Sequence, residues 1–97
     1  MMNSKPATPR FSLTYSDDFE ELLRDLDKGA SRPIAKKLDV ISLTGKLPKV
    51  EPLLGKLKGL HRIRVGNYRV LIEIDFENQI VLAVGLDHRG VVYRKKR

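Results

Sequence analysis

The chain contains no cysteine, and only two of its 97 residues are histidine. Without cysteine it has no disulfide framework, thiolate metal site or cysteine nucleophile. Two histidines give little basis for a metal site, so we expect no metal and no cofactor. No apolar run approaches the roughly 18 residues of a membrane span, and the N-terminal stretch MMNSKPATPR has no hydrophobic signal core. We therefore expect a cytoplasmic protein with no membrane partner.

Basic residues outnumber acidic ones. Nineteen Lys and Arg against 12 Asp and Glu give a formal net charge of +7, which favours a polyanionic partner, nucleic acid first. The alternative is a soluble basic protein without such a partner. A hydrophobic fraction of 41% favours a globular fold. The length suits a single domain over residues 10–97, after a flexible leader over residues 1–9 that carries two prolines.

Two amphipathic helices are predicted after a first short strand over residues 10–15. Ser16 is a plausible N-cap for the first helix, and Gly29 a natural stop. Ser31 restarts the pattern, with Pro33 in the first turn of the second helix, and Gly45 ends it. The residues at helical spacing that we expect to face the core are Phe19, Leu22, Leu23, Leu26, Ile34, Leu38 and Ile41.

Beyond a connector over residues 46–59 the apolar period changes to two. This predicts strands at 60–65, 68–75, 79–86 and 90–94. Gly66-Asn67 is a two-residue hairpin turn, and the run IVLAVGL is apolar on both faces, as in a central strand. The order β-α-α-β-β-β-β predicts an α+β fold, in which a mostly antiparallel twisted sheet carries the helical hairpin on one face.

The hairpin turn fixes which residues share a face. It places Arg64 opposite Arg69 and Arg62 on the same face, with Glu73 further along. Like charges directly opposite each other destabilise a hairpin, and guanidinium groups suit phosphate, so an anion site explains the cluster. The alternative is a solvated outer face that is partly neutralised by Glu73.

The C-terminal part adds further candidate residues. His88 is the titratable group best placed near neutral pH, Arg89 follows it, and Tyr93 offers a hydroxyl and a stacking ring. Taken singly, His88 is more often a loop histidine and Tyr93 a packing residue. Basic residues outside this cluster are candidate RNA contacts: Lys56, Lys58, Arg94, Lys95, Lys96 and Arg97.

Two stretches resemble the RelE/ParE toxin superfamily, with the closest likeness to its RelE branch. They are LKGLHRIRVGNYRV at residues 57–70 and HRGVVYR at residues 88–94, and the likeness covers about residues 10–94. The resemblance implies a toxin of a type II toxin–antitoxin pair that enters the ribosomal A site and cleaves mRNA. It also implies that the mRNA 2′-hydroxyl attacks the adjacent phosphate without a metal. The family's basic and aromatic site residues match Arg62, Arg64, Arg69, Arg89 and Tyr93.

This sequence departs from the family pattern at the second-strand basic pair, which is lysine in well-known members. Arginine stays protonated and is a poor general base. We therefore expect His88 to be the acid/base group, with Lys56, Lys58 and Glu73 less favoured. The arginines would bind the scissile phosphate, and Tyr93 would orient a base or the 2′-hydroxyl.

The resemblance implies a cognate antitoxin in a hetero-oligomer, together with the ribosome and mRNA, as partners. The sequence shows no helix after the last strand, so neutralisation by displacement of such a helix is not expected. Two alternatives stay open: a ParE-like DNA gyrase inhibitor without RNase activity on the same fold, and a non-catalytic RNA-binding module.

Overall fold

The computed structural model describes residues 10–93, which form a six-stranded sheet with two helices on one face. In chain order the elements are β1 (Ser12–Tyr15), α1 (Asp17–Asp25), α2 (Lys28–Thr44), β2 (Glu51–Pro52), a 3-10 turn (Gly55–Leu57), β3 (His61–Val65), β4 (Tyr68–Asp75), β5 (Ile80–His88) and β6 (Val91–Tyr93). This confirms the predicted α+β fold. The predicted leader, residues 1–9, and the basic residues 94–97 lie outside the described residues. Between residues 10 and 93, no helix has the length and hydropathy required to cross a membrane.

The first helix begins as its sequence predicts. The Ser16 hydroxyl accepts a hydrogen bond from the Phe19 backbone N–H at 3.0 Å, and three acidic residues occupy the first turn, where they face the positive end of the helix dipole. The prediction for the junction between the helices was wrong. Asp27 caps α2 by accepting from the Gly29 N–H at 2.7 Å, so Gly29 lies in the first turn of α2 instead of ending α1. Pro33 accordingly lies in the second turn of α2.

The sheet has the strand order β1-β5-β4-β3-β2, and β6 pairs with β5. β1 runs parallel to β5, and the other pairings are antiparallel. β5 is therefore central, as its two apolar faces predict. A β-bulge between Leu71 and Ile72 shifts the register of β4 against β5 by one residue. This shift changes which side chains of β5 share a face with those of β4.

The main core lies between the helices and the sheet. Its fully buried side chains come from both helices and from β3, β4 and β5, and they confirm the predicted helical stripes at Phe19, Ile34, Leu38 and Ile41. The opposite face of the sheet carries a second, smaller cluster of Leu60, Leu71 and Val84.

The connector contributes more structure than its sequence predicts. β2 forms the edge of the sheet and pairs with β3, with Glu51 opposite Arg62 and Pro52 opposite His61. Proline lacks an N–H donor and is tolerated on an edge strand. Beyond β2, the apolar side chains of Leu53 and Leu57 pack against the second cluster. The segment thus covers part of the sheet face that does not carry the helices.

Candidate anion-binding site

The β3–β4 hairpin brings arginines together as predicted. Arg64 pairs with Arg69, and Arg62 pairs with Leu71. The turn at Gly66-Asn67 has a positive φ of 59° at Gly66, as a two-residue turn with glycine at its first central position requires. The three arginines Arg62, Arg64 and Arg69 therefore lie on the sheet face opposite the helices.

A buried carboxylate extends the row formed by Arg64 and Arg69 onto the next strand. Asp87 of β5 pairs with Arg69, is only 9% exposed, and its Oδ1 lies 3.7 Å from the Arg69 Nη1. That separation is beyond hydrogen-bonding distance. Among the described residues, both the Arg69 Nε and the Asp87 Oδ1 are buried without a hydrogen-bond partner. Arg69 thus has donor capacity that its own protein environment does not satisfy.

A second carboxylate, Glu51 of β2, holds the other two arginines. Its Oε1 accepts from the Arg62 Nε at 3.0 Å and from the Arg64 Nε at 3.2 Å. The hydrogen bond from Arg64, followed by that from Arg62, lowers the pKa of Glu51 below its usual value. The sequence did not indicate this residue, because β2 is only two residues long and is too short to show the alternation of apolar and polar side chains that marks a strand. Since both arginines bind through Nε, their terminal nitrogens remain available to an anion.

Arg89 occupies a backbone conformation that is unfavourable for its residue type. It has φ 55° and Gly90 has φ 78°, and together they form the two-residue turn between β5 and β6. This turn favours asparagine, aspartate or glycine, because a side chain at positive φ is strained. Gln79 has a similar φ of 56°, so the strain alone assigns no role, and the position of the Arg89 side chain decides whether it belongs to the site.

The two hairpin turns and the arginine row meet at an open pocket of about 350 Å³, which we call the arginine pocket. It is lined by Arg64, Gly66, Asn67, Arg69 and Arg89. Three of the four predicted arginines therefore converge, while Arg62 lies one row away beside Glu51. Three guanidinium groups around one opening can bind a phosphate through charge-assisted hydrogen bonds and stabilise negative charge that develops on it.

His88, the expected acid/base group, does not line the arginine pocket. It pairs with Tyr68, whose side chain packs against the main core on the helix side, and the two rings stack at a centroid distance of 4.1 Å. Glu73 lies on the arginine face and pairs with Leu82 of β5. Strict alternation of side chains along β5 from Leu82 would place His88 on that face as well. The bulge inserts one residue and places Asp87 there instead. Tyr93 lies in β6, where its backbone pairs with Leu86.

The predicted lysine contacts lie elsewhere. Lys56 and Lys58 line a separate opening together with Glu73. Along β4 this opening is separated from Arg69 by the buried Leu71. The remaining predicted RNA contacts, at residues 94–97, lie outside the described residues. Within residues 10–93 no group of three or more His, Asp or Glu side chains is arranged to hold a metal ion.

Comparison with known proteins gives consistent matches over nearly the whole chain. A model of the family described as the ParE toxin of the type II toxin–antitoxin system parDE matches residues 3–93. Toxin RelG of Mycobacterium tuberculosis is 33% identical over 93 residues, which cover 93% of this chain and 99% of that protein.

Solved structures share the fold. A chain of the toxin–antitoxin complex RelBE2 from Mycobacterium tuberculosis superposes with a TM-score of 0.69 at 25% identity, covering 82% of this chain and 99% of that one. A chain of the archaeal RelE–RelB complex from Pyrococcus horikoshii superposes with a TM-score of 0.63 at 21% identity, covering 84% of this chain and 97% of that one.

Proposed function

The chain belongs to the ParE toxin family of type II toxin–antitoxin systems, within the RelE/ParE superfamily, and on that premise we propose that it is a ribosome-dependent endoribonuclease. It cleaves mRNA in the ribosomal A site and thereby inhibits translation. Its setting is the cytoplasm, where the ribosome and mRNA are found. A cognate antitoxin binds it in a hetero-oligomer and neutralises it, in keeping with the toxin–antitoxin complexes that share its fold.

The observation that carries this proposal is the arginine pocket. Three arginines from β3, β4 and the β5–β6 turn converge on one opening, and one of them adopts a strained backbone conformation. A protein that only needed a solvated surface would gain nothing from like charges placed opposite each other. Glu51 and Asp87 offset part of this repulsion, and a bound phosphodiester offsets the rest.

The proposed reaction is transesterification. The 2′-hydroxyl gives up its proton to solvent, and its oxygen attacks the adjacent phosphorus to form a 2′,3′-cyclic phosphate. The bond from phosphorus to the 5′-oxygen of the next nucleotide breaks, and that oxygen takes up a proton from solvent. Arg64, Arg69 and Arg89 neutralise the phosphate and the charge that accumulates on its oxygens. Tyr93 orients the nucleotide. Arg62 acts beside this group and is held by Glu51. Since arginine is a poor base, the rate depends on charge stabilisation and on the alignment of the mRNA by the ribosome.

The placement of His88 changes the role that we propose for it. Because it stacks on Tyr68 across the sheet from Arg64 and Arg69, we assign it a positioning role. It fixes the end of β5, and hence Arg89, through the ring stack. Replacing His88 by phenylalanine should then preserve cleavage, whereas alanine should reduce it. A proton-transfer role requires that both replacements abolish cleavage, and that result would overturn the assignment.

The test of the proposed function is cleavage on programmed ribosomes. Purified toxin is added to ribosomes that hold a defined mRNA, and primer extension locates the cuts. We expect cuts in the A-site codon and a 2′,3′-cyclic phosphate on the upstream product. Arg64→Ala should lower the cleavage rate by about 10²–10³. Arg24→Ala is the matched control, because Arg24 is exposed on α1, away from the pocket.

The gyrase alternative predicts the opposite pattern. A gyrase inhibitor would block DNA supercoiling in a cell extract and leave translation and mRNA intact. Inhibition of supercoiling without cleavage would overturn the proposed function and favour the ParE-like activity on the same fold.

A further inference from the structure

We propose a second RNA-binding site, at the edge of the sheet, that takes the phosphate and ribose of a nucleotide next to the scissile one. It rests on the proposed function, because the arginine pocket is taken to hold the scissile phosphate. The site is an opening of about 270 Å³ that we call the edge pocket. It is lined by Lys37, Pro48, Lys49, Glu51, Ile63 and Arg64.

The charge at the edge pocket favours an anion. Lys37 of α2 and Lys49 of the connector are both exposed, and neither forms an ion pair with any residue between 10 and 93. The one carboxylate present, that of Glu51, directs its Oε1 to Arg62 and Arg64. Three cationic side chains, Lys37, Lys49 and Arg64, thus line the pocket against one carboxylate, that of Glu51, and the lining carries a net positive charge.

The shape of the pocket favours a nucleotide over a free ion. Pro48 is half-buried and lines the pocket beside the cationic groups, whereas Ile63 forms its floor and is itself buried in the main core. The apolar surface of Pro48 suits the apolar face of a ribose. The lysines then bind the attached phosphate as mobile point charges.

The position of the pocket favours a continuous RNA strand. Arg64 lines both the edge pocket and the arginine pocket, so one side chain lies between two anion sites. A single strand that passes over Arg64 places successive phosphates in the two pockets. Electrostatic contacts of this kind add affinity without selecting a base sequence.

The experiment measures binding to RNA that cannot be cleaved, without ribosomes. The full-length toxin is titrated into a fluorescent ten-nucleotide 2′-O-methyl oligouridylate, and anisotropy is followed over a range of salt concentrations. The variant is Lys37→Ala/Lys49→Ala. The matched control is Lys36→Ala/Lys46→Ala, which removes two exposed lysines from the same two segments but outside the pocket.

We expect the Lys37→Ala/Lys49→Ala variant to bind about 5-fold more weakly near 0.1 M salt, with the slope of log K against log salt reduced by about 0.7, because the pocket holds one phosphate and each phosphate neutralised on a single strand contributes about 0.7. The control should keep the wild-type slope. Equal losses in the two variants would overturn the proposal, because they would indicate a diffuse charge effect.

Two further outcomes are informative. If the variant keeps its RNA affinity but loses binding to a polyglutamate peptide, the pocket is a contact for an acidic protein segment and the proposal is wrong. A selective loss of RNA binding by the variant would support the edge pocket even if the ribosome assay showed no cleavage, so the two proposals fail separately.

Discussion

At the scale of single residues, Glu51 controls the position of two arginines. Its Oε1 accepts hydrogen bonds from the Nε atoms of Arg62 and Arg64, and these bonds lower its pKa. A carboxyl whose pKa is lower in the folded state stabilises that state fully above its unfolded pKa, here near the usual value of 4.5. The contribution is lost as the pH falls through the lowered pKa.

The first prediction follows from that linkage. Glu51→Gln should unfold at a lower urea concentration than the wild type at pH 7, and the difference should shrink when both are measured near pH 3. The same replacement should also lower the cleavage rate on ribosomes, because Arg62 and Arg64 lose their shared acceptor. A difference in unfolding midpoint that is independent of pH would contradict this account.

Arg89 is the residue at which stability and activity should conflict. A non-glycine residue in the left-handed region costs about 1 kcal/mol, and glycine avoids this cost. Arg89→Gly should therefore raise the free energy of unfolding by about 0.5–1 kcal/mol, as measured in urea, while it lowers cleavage on ribosomes.

Gln79 provides the control for this prediction, because its φ of 56° nearly equals the 55° of Arg89. It lies in the β4–β5 turn, outside the arginine pocket. Gln79→Gly should give a similar gain in stability with no change in cleavage. Loss of activity in both variants would show that turn flexibility, and not the lost guanidinium, is responsible.

At the scale of elements, the end of α2 depends on Gly45. It has φ 71°, its N–H bonds to the Ile41 carbonyl, and its carbonyl accepts from the Phe11 N–H at 2.8 Å. A Cβ at this position would collide with the Arg10 side chain. That side chain donates to the carbonyls of Leu43 and Thr44 at the helix end.

We therefore expect Gly45→Ala to lower the free energy of unfolding by about 2 kcal/mol, from backbone strain and from the displaced Arg10 together. Gly59→Ala is the comparison, because Gly59 has φ 99° but open space around its Cα. Its cost should reflect strain alone and be smaller. Equal losses in urea denaturation would mean that the Arg10 contacts contribute nothing.

Elements with strong local signals were predictable from sequence. The Ser16 cap, the apolar stripes of both helices and the Gly66-Asn67 turn depend on neighbouring residues, and the register between Arg64 and Arg69 followed from the turn length. The start of α2 was missed because Asp27 and Ser31 both have the chemistry of an N-cap, and only the structure shows that Asp27 is used.

The features that sequence could not supply depend on contacts between distant segments. The two-residue strand β2 carries no period, so the approach of Glu51 to the arginines was not foreseeable. The bulge in β5, opposite Leu71 and Ile72, was likewise not foreseeable. β5 is apolar on both faces, so its sequence shows no alternation that an inserted residue would interrupt. The bulge moves Asp87 onto the arginine face and His88 off it, and so decides the chemistry of the candidate site.

At the scale of the whole molecule, the residues that stabilise the fold and those of the proposed active site lie on different faces of the sheet. The main core lies on the helix face, whereas the arginine pocket lies on the other face and at the hairpin turns. A domain of this size has a total stability of only about 5–15 kcal/mol. Loss of toxicity can therefore arise from unfolding or from damage to the pocket, and the two causes have distinct signatures.

Ile41→Ala and Arg64→Ala should show these signatures. Ile41 is 1% exposed in the main core, so its truncation should cost about 2–4 kcal/mol of stability while each folded molecule still cleaves at the wild-type rate. Arg64 is exposed, so its replacement should change stability by less than about 1 kcal/mol and lower cleavage on ribosomes by two orders of magnitude or more. Urea denaturation and cleavage normalised to the folded fraction measure both quantities. Wild-type cleavage by Arg64→Ala would remove the arginine pocket from the proposed reaction, whereas low normalised cleavage by Ile41→Ala would show that the two faces are coupled.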